Sequence, residues 1–207
     1  MLAKNKKKIR GWKRRIKELD RWFEHYRSVD LEIFLTRGEV YMKIQIDPWN
    51  RLAERSIPPW YFKHILSRLL QVHDAWKVAF EKSGVAYDLQ VWLNDPKTHR
   101  SQLVCARVDR AGETRRNYYR KSKEQKDFPY EKWESTQYNL SDFDWELYDD
   151  EIFLFKDLDE LTEDDIKEIS KNGFREDKIV LHGQEEIQYS KKAGDVWIGR
   201  LSLASKK

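Results

Sequence analysis

The chain has 207 residues, of which 37% are charged and 40% are hydrophobic, and its formal net charge is +4. This length suits one medium domain or two small ones, and the apolar content excludes a disordered chain. Cys105 is the single cysteine, which excludes an internal disulfide, and the sequence has no run of 18 apolar residues that would predict a membrane span. The basic N-terminus has no apolar segment typical of a signal peptide, so we expect a cytoplasmic protein.

The most regular pattern lies near the N-terminus, over residues 4–27. Apolar side chains recur there at steps of three and four residues: Ile9, Trp12, Ile16, Leu19 and Phe23. This spacing predicts a helix with one apolar stripe. The other side of the helix is basic and carries Arg10, Lys13, Arg14, Lys17 and Arg21. We expect the stripe to be buried, against the rest of the protein or against a partner, and the basic side to face water or an acidic group.

A β-hairpin is predicted next, from two alternating patterns over residues 31–36 and 40–46. A proline pair then opens a second long helix, over residues 58–82, which has a broad apolar face. The glycine at position 84 is typical of a residue that ends a helix. We expect this second helix to lie across the sheet.

Three further strands are predicted after this helix, and their short connections favour an antiparallel meander. They cover residues 85–93, 102–109 and 113–120. A charged run at residues 121–126 is the best candidate for a boundary. It divides the chain into a basic part, residues 1–126, and an acidic part, residues 127–207, which can share one core.

The acidic part is predicted to contain short strands and one short helix. Thr162 is the expected N-cap of that helix, whose first turn is acidic and which ends at Asn172 and Gly173. The strands are predicted at residues 152–155, 178–181, 187–189 and 196–203, and the first of them is expected to be buried. The whole pattern predicts an α+β protein with two long helices packed on an antiparallel sheet.

The modest net charge conceals two basic segments and one acidic segment. Residues 1–28 contain 11 basic and three acidic side chains, and residues 107–126 contain eight basic and three acidic ones. Residues 142–168 contain 13 acidic and two basic side chains. The sequence therefore favours two kinds of binding surface, one basic and one acidic.

The basic segments favour nucleic-acid binding. The candidate residues are Arg10, Lys13, Arg14, Lys17, Arg115, Arg116 and Arg120. Nearby aromatic side chains would stack on bases if they are exposed: Trp12, Trp22, Tyr118 and Tyr119. The alternative is that this charge is solvated, or is neutralised by the acidic segment of the same chain.

The acidic segment favours a basic protein partner instead. Its aromatic and acidic side chains alternate closely, and the candidate contact residues are Asp142, Asp144, Trp145, Glu146, Tyr148, Asp149, Asp150 and Glu151. Acidic groups around aromatic anchors attract a basic surface and then hold it. The alternative is a solvated sheet edge around core aromatics.

No catalytic set is evident in the sequence. Arg68 and His73 match an Arg-x4-His spacing found in one class of helical ribonucleases, and chance alone gives about one such match in a chain of this composition. No Cys or His spacing suits a metal, and no glycine-rich loop suits a phosphate, so neither a metal nor a cofactor is predicted. Cys105 lies in an apolar run and is expected to be a buried residue rather than a nucleophile.

The N-terminal motif carries a resemblance. Residues 6–15, with Lys7, Arg10, Gly11, Lys13 and Arg14 in register, resemble the Lys-x-x-Arg-Gly-x-Lys-Arg start of a family of small uncharacterised bacterial proteins. The association of that family with polymorphic-toxin loci implies an immunity role. The leading prediction is therefore a non-enzymatic protein that binds and neutralises a basic toxin, with nucleic-acid binding and ribonuclease activity as the alternatives.

Overall fold

The protein is described by a computed structural model, in which the described residues are 11–30, 41–46, 59–84, 87–95, 100–107, 119–133, 138–154, 161–181 and 184–201. The helices are α1 (Trp12–Tyr26), α2 (Pro59–Ser83), α3 (Tyr130–Trp133) and α4 (Glu163–Lys171), with a 3₁₀ turn at Leu140–Asp142. The strands are β1 (Tyr41–Gln45), β2 (Tyr87–Asp95), β3 (Gln102–Arg107), β4 (Arg120–Lys121), β5 (Phe143–Leu154), β6 (Arg175–Leu181) and β7 (Gln184–Leu201).

The described strands form one antiparallel sheet, in the order β1-β3-β2-β7-β5-β4, and β6 pairs with β7. The predicted α+β class is confirmed. The strand β7 organises the sheet, since its C-terminal half lies between β2 and β5 while its N-terminal half pairs with β6 and with the end of β5. Strands from both sides of residue 126 therefore belong to one sheet.

The strand predictions fail where they assign partners. Arg120 lies in the strand predicted to extend the meander, but it pairs with Asp149 of β5 and not with β3, so the meander is wrong at this position. The strand predicted at residues 187–189 and the described part of the one predicted at 196–203, up to Leu201, both belong to β7, which crosses a register shift opposite Asp150 and Glu151. Alternation identifies a strand but carries no information about its neighbour. The first strand of the predicted hairpin, residues 31–36, lies outside the described residues.

The two long helices pack on each other and form a layer against the sheet. Leu19 of α1 is buried, and Trp22 donates a hydrogen bond from Nε1 to the carbonyl of Gln45, the last residue of β1, at 3.1 Å. Trp76 of α2 donates to the carbonyl of Tyr26 at 2.8 Å, which fixes the end of α1 against α2. These two hydrogen bonds give both buried indole N–H groups a backbone acceptor.

The helix ends follow the local sequence signals. α2 ends at Gly84, whose φ of 72° lies in the left-handed region that glycine adopts without strain. Thr162 caps α4 as predicted: its hydroxyl accepts from the backbone N–H of Asp165, and the Asp165 carboxylate accepts from the backbone N–H of Thr162. Local chemistry alone determines both ends.

One hydrophobic core joins the helices to strands from both parts of the chain. It is built around buried side chains that include Leu69 of α2, Leu103 of β3, Leu147 of β5 and Trp197 of β7. Ile152, predicted to be buried, is 46% exposed.

Within the described residues, no helix is long and apolar enough to cross a membrane.

Candidate nucleic-acid interface

The helix α1 has a buried side and a basic side, as its sequence predicts. Ile16, Leu19 and Phe23 contact the core, and Asp20 forms an ion pair with Arg68 of α2 at 2.5 Å. Lys13, Arg14, Lys17 and Arg21 are exposed on the other side. The contacts on the buried side hold this basic side in a fixed orientation.

The exposed cations of α1 differ in how they are paired. Arg14 donates from Nε to Glu18 at 2.7 Å, within the same helix. Lys13 lies over the ring of Trp12, with Nζ 6.0 Å from the ring centroid. Lys17 and Arg21 have no ion-pair partner among the described residues. The basic side is therefore only partly neutralised by the helix itself.

Among the other predicted nucleic-acid contacts, Arg120 is the one in the described part of the chain. Arg10, Arg115 and Arg116 lie outside the described residues. Arg120 lies in β4, where its guanidinium donates two hydrogen bonds to the Asp177 carboxylate, at 3.1 and 3.2 Å. This bidentate pair occupies the groups that would bind phosphate.

Among the aromatic side chains predicted to stack on bases, Trp12 is the exposed one in the described part of the chain. Trp12 is 45% exposed although it lies on the apolar stripe of α1. Trp22 is buried, and Tyr119 packs edge to face on Trp92 at 5.4 Å. Within this chain the stripe is therefore not buried at Trp12, the first residue of the helix, and Ile9 lies outside the described residues.

The acidic segment forms most of β5 instead of a separate patch. Its alternation directs Phe143, Trp145 and Leu147 toward the core. Glu146, on the other face, accepts from Lys121 at 2.7 Å and lies 3.5 Å from Arg200, and it also accepts from the Tyr148 hydroxyl at 3.1 Å. Among the predicted partner contacts, Trp145, Glu146 and Tyr148 are thus engaged within the fold.

The later acidic residues of β5 are also engaged. Asp149 and Asp150 are buried, and Glu151 forms an ion pair with Arg175 of β6. Asp142 and Asp144 are exposed. Much of the acidic charge of β5 is therefore neutralised by cations of the sheet and of the segment beside it, and none of the described ion pairs links β5 to α1.

A charged cluster that the sequence did not reveal lies at one end of the sheet. We call it the Lys192 cluster: Lys192, Glu124, Asp149 and Asp195. Asp195 lies directly opposite Asp149 on the neighbouring strand, so their carboxylates are on the same face. The Lys192 ammonium lies 2.8 Å from Glu124, 2.8 Å from Asp149 and 3.0 Å from Asp195. One cation therefore links carboxylates from three segments.

Ion pairing shifts the pKa values of these groups. Partial burial by itself lowers the pKa of Lys192, but hydrogen bonds to Asp149, Glu124 and Asp195 outweigh it, so the pKa is raised. Hydrogen bonds from Lys126 and Lys192 lower the pKa of Glu124 to about 2. The hydrogen bond from Lys121 lowers the pKa of Glu146 against the effect of burial.

These lowered carboxyl pKa values predict acid sensitivity. An unfolded Glu has a pKa near 4.3, so the stabilisation from Glu124 is present above that pH and is lost as pH falls toward 2. We expect the urea midpoint of unfolding to fall with pH in this window, and less steeply for Glu124→Gln. Added salt should reduce the difference, because Glu124 is exposed. Identical pH profiles for the two proteins would contradict this assignment.

Both residues of the ribonuclease alternative have other contacts within the fold. His73 is 1% exposed and lies against Phe143, with ring centroids 5.3 Å apart, while Arg68 is bound to Asp20 and Gln71. Cys105 is buried, which raises the pKa of its thiol. No group of three His, Cys, Asp or Glu residues in the described part of the chain is arranged to hold a metal ion.

Comparison of the chain with models of protein families, with curated proteins and with solved structures finds no match. The resemblance at residues 6–15 therefore stays a prediction. The physical properties of the described surface are the basis of the function proposed next.

Proposed function

We propose that the protein binds nucleic acid through the basic side of α1. The observation that carries this proposal is that the acidic side chains of β5 are more fully ion-paired within the fold than the basic side chains of α1. The acidic side chains of β5 are largely bound to cations of the sheet, whereas Lys17 and Arg21 of α1 are exposed and without an ion pair in the described structure. None of the described ion pairs of β5 therefore neutralises this surface.

The spacing of the cations suits a phosphate backbone. Lys13, Lys17 and Arg21 are four residues apart, so they lie one above another on one side of the helix, at intervals of about 6 Å along its axis. Exposed Lys and Arg side chains in such a row bind successive phosphates and release their counterions. Contacts of this kind carry no sequence information, so the proposed binding is independent of sequence.

The position of α1 supports the same function. Leu19 and Trp22 anchor the helix in the core, and the Asp20–Arg68 ion pair links it to α2. The charges are therefore presented on a rigid element, which avoids the entropic cost of ordering a disordered basic tail.

Removing charge from α1 tests the proposal. We expect the Lys17→Gln/Arg21→Gln variant to bind labelled DNA and RNA oligonucleotides about tenfold more weakly at low salt, in fluorescence anisotropy titrations. The slope of log K against log salt should become shallower by about 0.7 to 0.9 for each phosphate that the variant no longer neutralises. Both positions are exposed, so the stability of the fold should change by less than about 0.5 kcal/mol.

The matched control removes two exposed lysines from the other long helix. Lys77 and Lys82 of α2 lie beyond Trp76, which contacts the last residue of α1, and they are remote from its basic row. The Lys77→Gln/Lys82→Gln variant loses the same net charge and should bind like the wild type. Equal weakening in both variants would indicate a general charge effect, and no binding at low salt would contradict the proposed function.

Protein binding by the acidic segment is the second candidate, and Asp142 and Asp144 favour it because they are exposed. A basic partner would be attracted to these two carboxylates. Charge reversal at both positions should then slow association with that partner while leaving its dissociation nearly unchanged. An immunity-type role remains a proposal of this second kind.

A further inference from the structure

Trp12 is exposed beside the basic row of α1. It continues the apolar stripe formed by Ile16, Leu19 and Phe23, yet it is 45% exposed while Leu19 is fully buried. The Lys13 ammonium lies 6.0 Å from its ring centroid, which brings a cation and an aromatic surface together at the first turn of the helix. A tryptophan in this position offers an aromatic surface for contact, which binding to phosphate groups does not require.

We propose that the nucleic acid bound by α1 is single-stranded and that Trp12 stacks on one of its bases. This inference rests on the function proposed above. The flat faces of the bases are covered by their neighbours in a duplex, whereas a single strand can present them to an aromatic side chain. Stacking on a tryptophan is tolerant of sequence, because every base has a π-face.

The geometry of α1 allows one strand to make both kinds of contact. Lys13 adjoins Trp12, and Lys17 and Arg21 follow at successive turns, so Trp12 and Arg21 are about 14 Å apart along the helix axis and about half a turn apart around it. At a stacked spacing of 3.4 Å per nucleotide, the axial length alone corresponds to about four nucleotides. A strand whose phosphates follow the basic row reaches Trp12 at the start of the helix.

The preference for single strands distinguishes stacking from charge. A duplex carries more phosphate charge per unit length than a single strand, so charge alone favours the duplex. A basic helix without an aromatic contact should therefore bind duplex at least as tightly. Tighter binding of single strands requires an additional contact with the bases.

The test uses the full chain with labelled oligothymidine and oligouridine, and with a DNA duplex of the same length. We expect the single strands to bind more tightly than the duplex at moderate salt. Trp12→Ala should weaken single-strand binding about tenfold, with duplex binding and the salt slope unchanged. Trp12→Phe, which keeps an aromatic ring, should recover part of this loss.

Tyr130→Ala is the matched control, because Tyr130 of α3 is also a 45% exposed aromatic and no basic row is found on that short helix. It should bind like the wild type. A second measurement is direct: single strands should quench the part of the tryptophan fluorescence that Trp12→Phe removes.

The outcomes separate this inference from the function on which it rests. Equal or tighter duplex binding, with no effect of Trp12→Ala, would overturn the stacking proposal while weaker binding by Lys17→Gln/Arg21→Gln still supported the function. An absence of binding to all three oligonucleotides at low salt would overturn both. Weakening by Tyr130→Ala equal to that by Trp12→Ala would also overturn the stacking proposal.

Discussion

Replacing Gly199 with alanine should destabilise the protein by about 2–3 kcal/mol, as is typical of an overpacked core. A Cβ at position 199 would lie 2.6 Å from a ring carbon of Trp145, which is closer than van der Waals contact allows. The ring has little room to retreat. Phe128 stacks on the Trp145 ring with centroids 4.2 Å apart, and the indole Nε1 of Trp145 donates to the carbonyl of Leu140 at 2.9 Å.

The free energy of unfolding, measured by urea titration, checks this prediction. The loss should correspond to a decrease in Tm of roughly 5–10 °C for a chain of this size. Adding Trp145→Leu to Gly199→Ala should cost less than the sum of the single variants, since the smaller side chain removes the clash. An additive double variant, or a Gly199→Ala protein as stable as the wild type, would contradict this packing.

Replacing Lys192 with methionine should destabilise the protein by about 2 kcal/mol at neutral pH. The substitution keeps a flexible side chain but leaves the carboxylates of Glu124, Asp149 and Asp195 without their shared cation. Breaking a fully buried pair in this way costs about 3–5 kcal/mol. The effect here should be smaller, because Lys192 is only partly buried and water screens the remaining charges.

Acid should distinguish this cluster from ordinary packing. Lys192 is one of the two cations that lower the pKa of Glu124 to about 2, so the wild type loses part of this interaction when the Glu124 carboxylate is protonated, and Lys192→Met has less of it to lose. The stability difference from the wild type should therefore shrink as the pH falls from about 4.3 toward 2. Lys191→Met, which alters the next, exposed residue, should cost less than about 1 kcal/mol. A pH-independent deficit in Lys192→Met would assign the loss to packing alone.

The helices were predictable because their signals are local. The three- and four-residue spacing of apolar side chains defines α1 and α2, and residues within a few positions supply the ends, such as Gly84 and the Thr162 cap. The basic side of α1 followed from the same periodicity. What periodicity did not reveal is that Trp12 remains exposed at the start of the stripe, since that depends on how far the contact with the rest of the protein extends.

The acidic segment was harder to interpret because two patterns overlap in it. The alternation of Phe143, Trp145 and Leu147 is that of a strand, but the acidic residues between them suggested a docking surface. Whether those carboxylates are free depends on the cations placed next to them by other segments. Lys121, Lys192 and Arg175 come from three different positions in the chain, so the sequence offers no way to pair them with β5 in advance.

The sequence by itself therefore determined the α+β class, the two long helices, the cap of α4 and the basic side of α1, because each depends on the spacing of neighbouring residues. The tertiary structure decided the strand order, the length of β7, the Lys192 cluster and the neutralisation of β5. These features depend on contacts between residues far apart in the chain, and the side-chain period of a strand is the same whichever strand lies beside it.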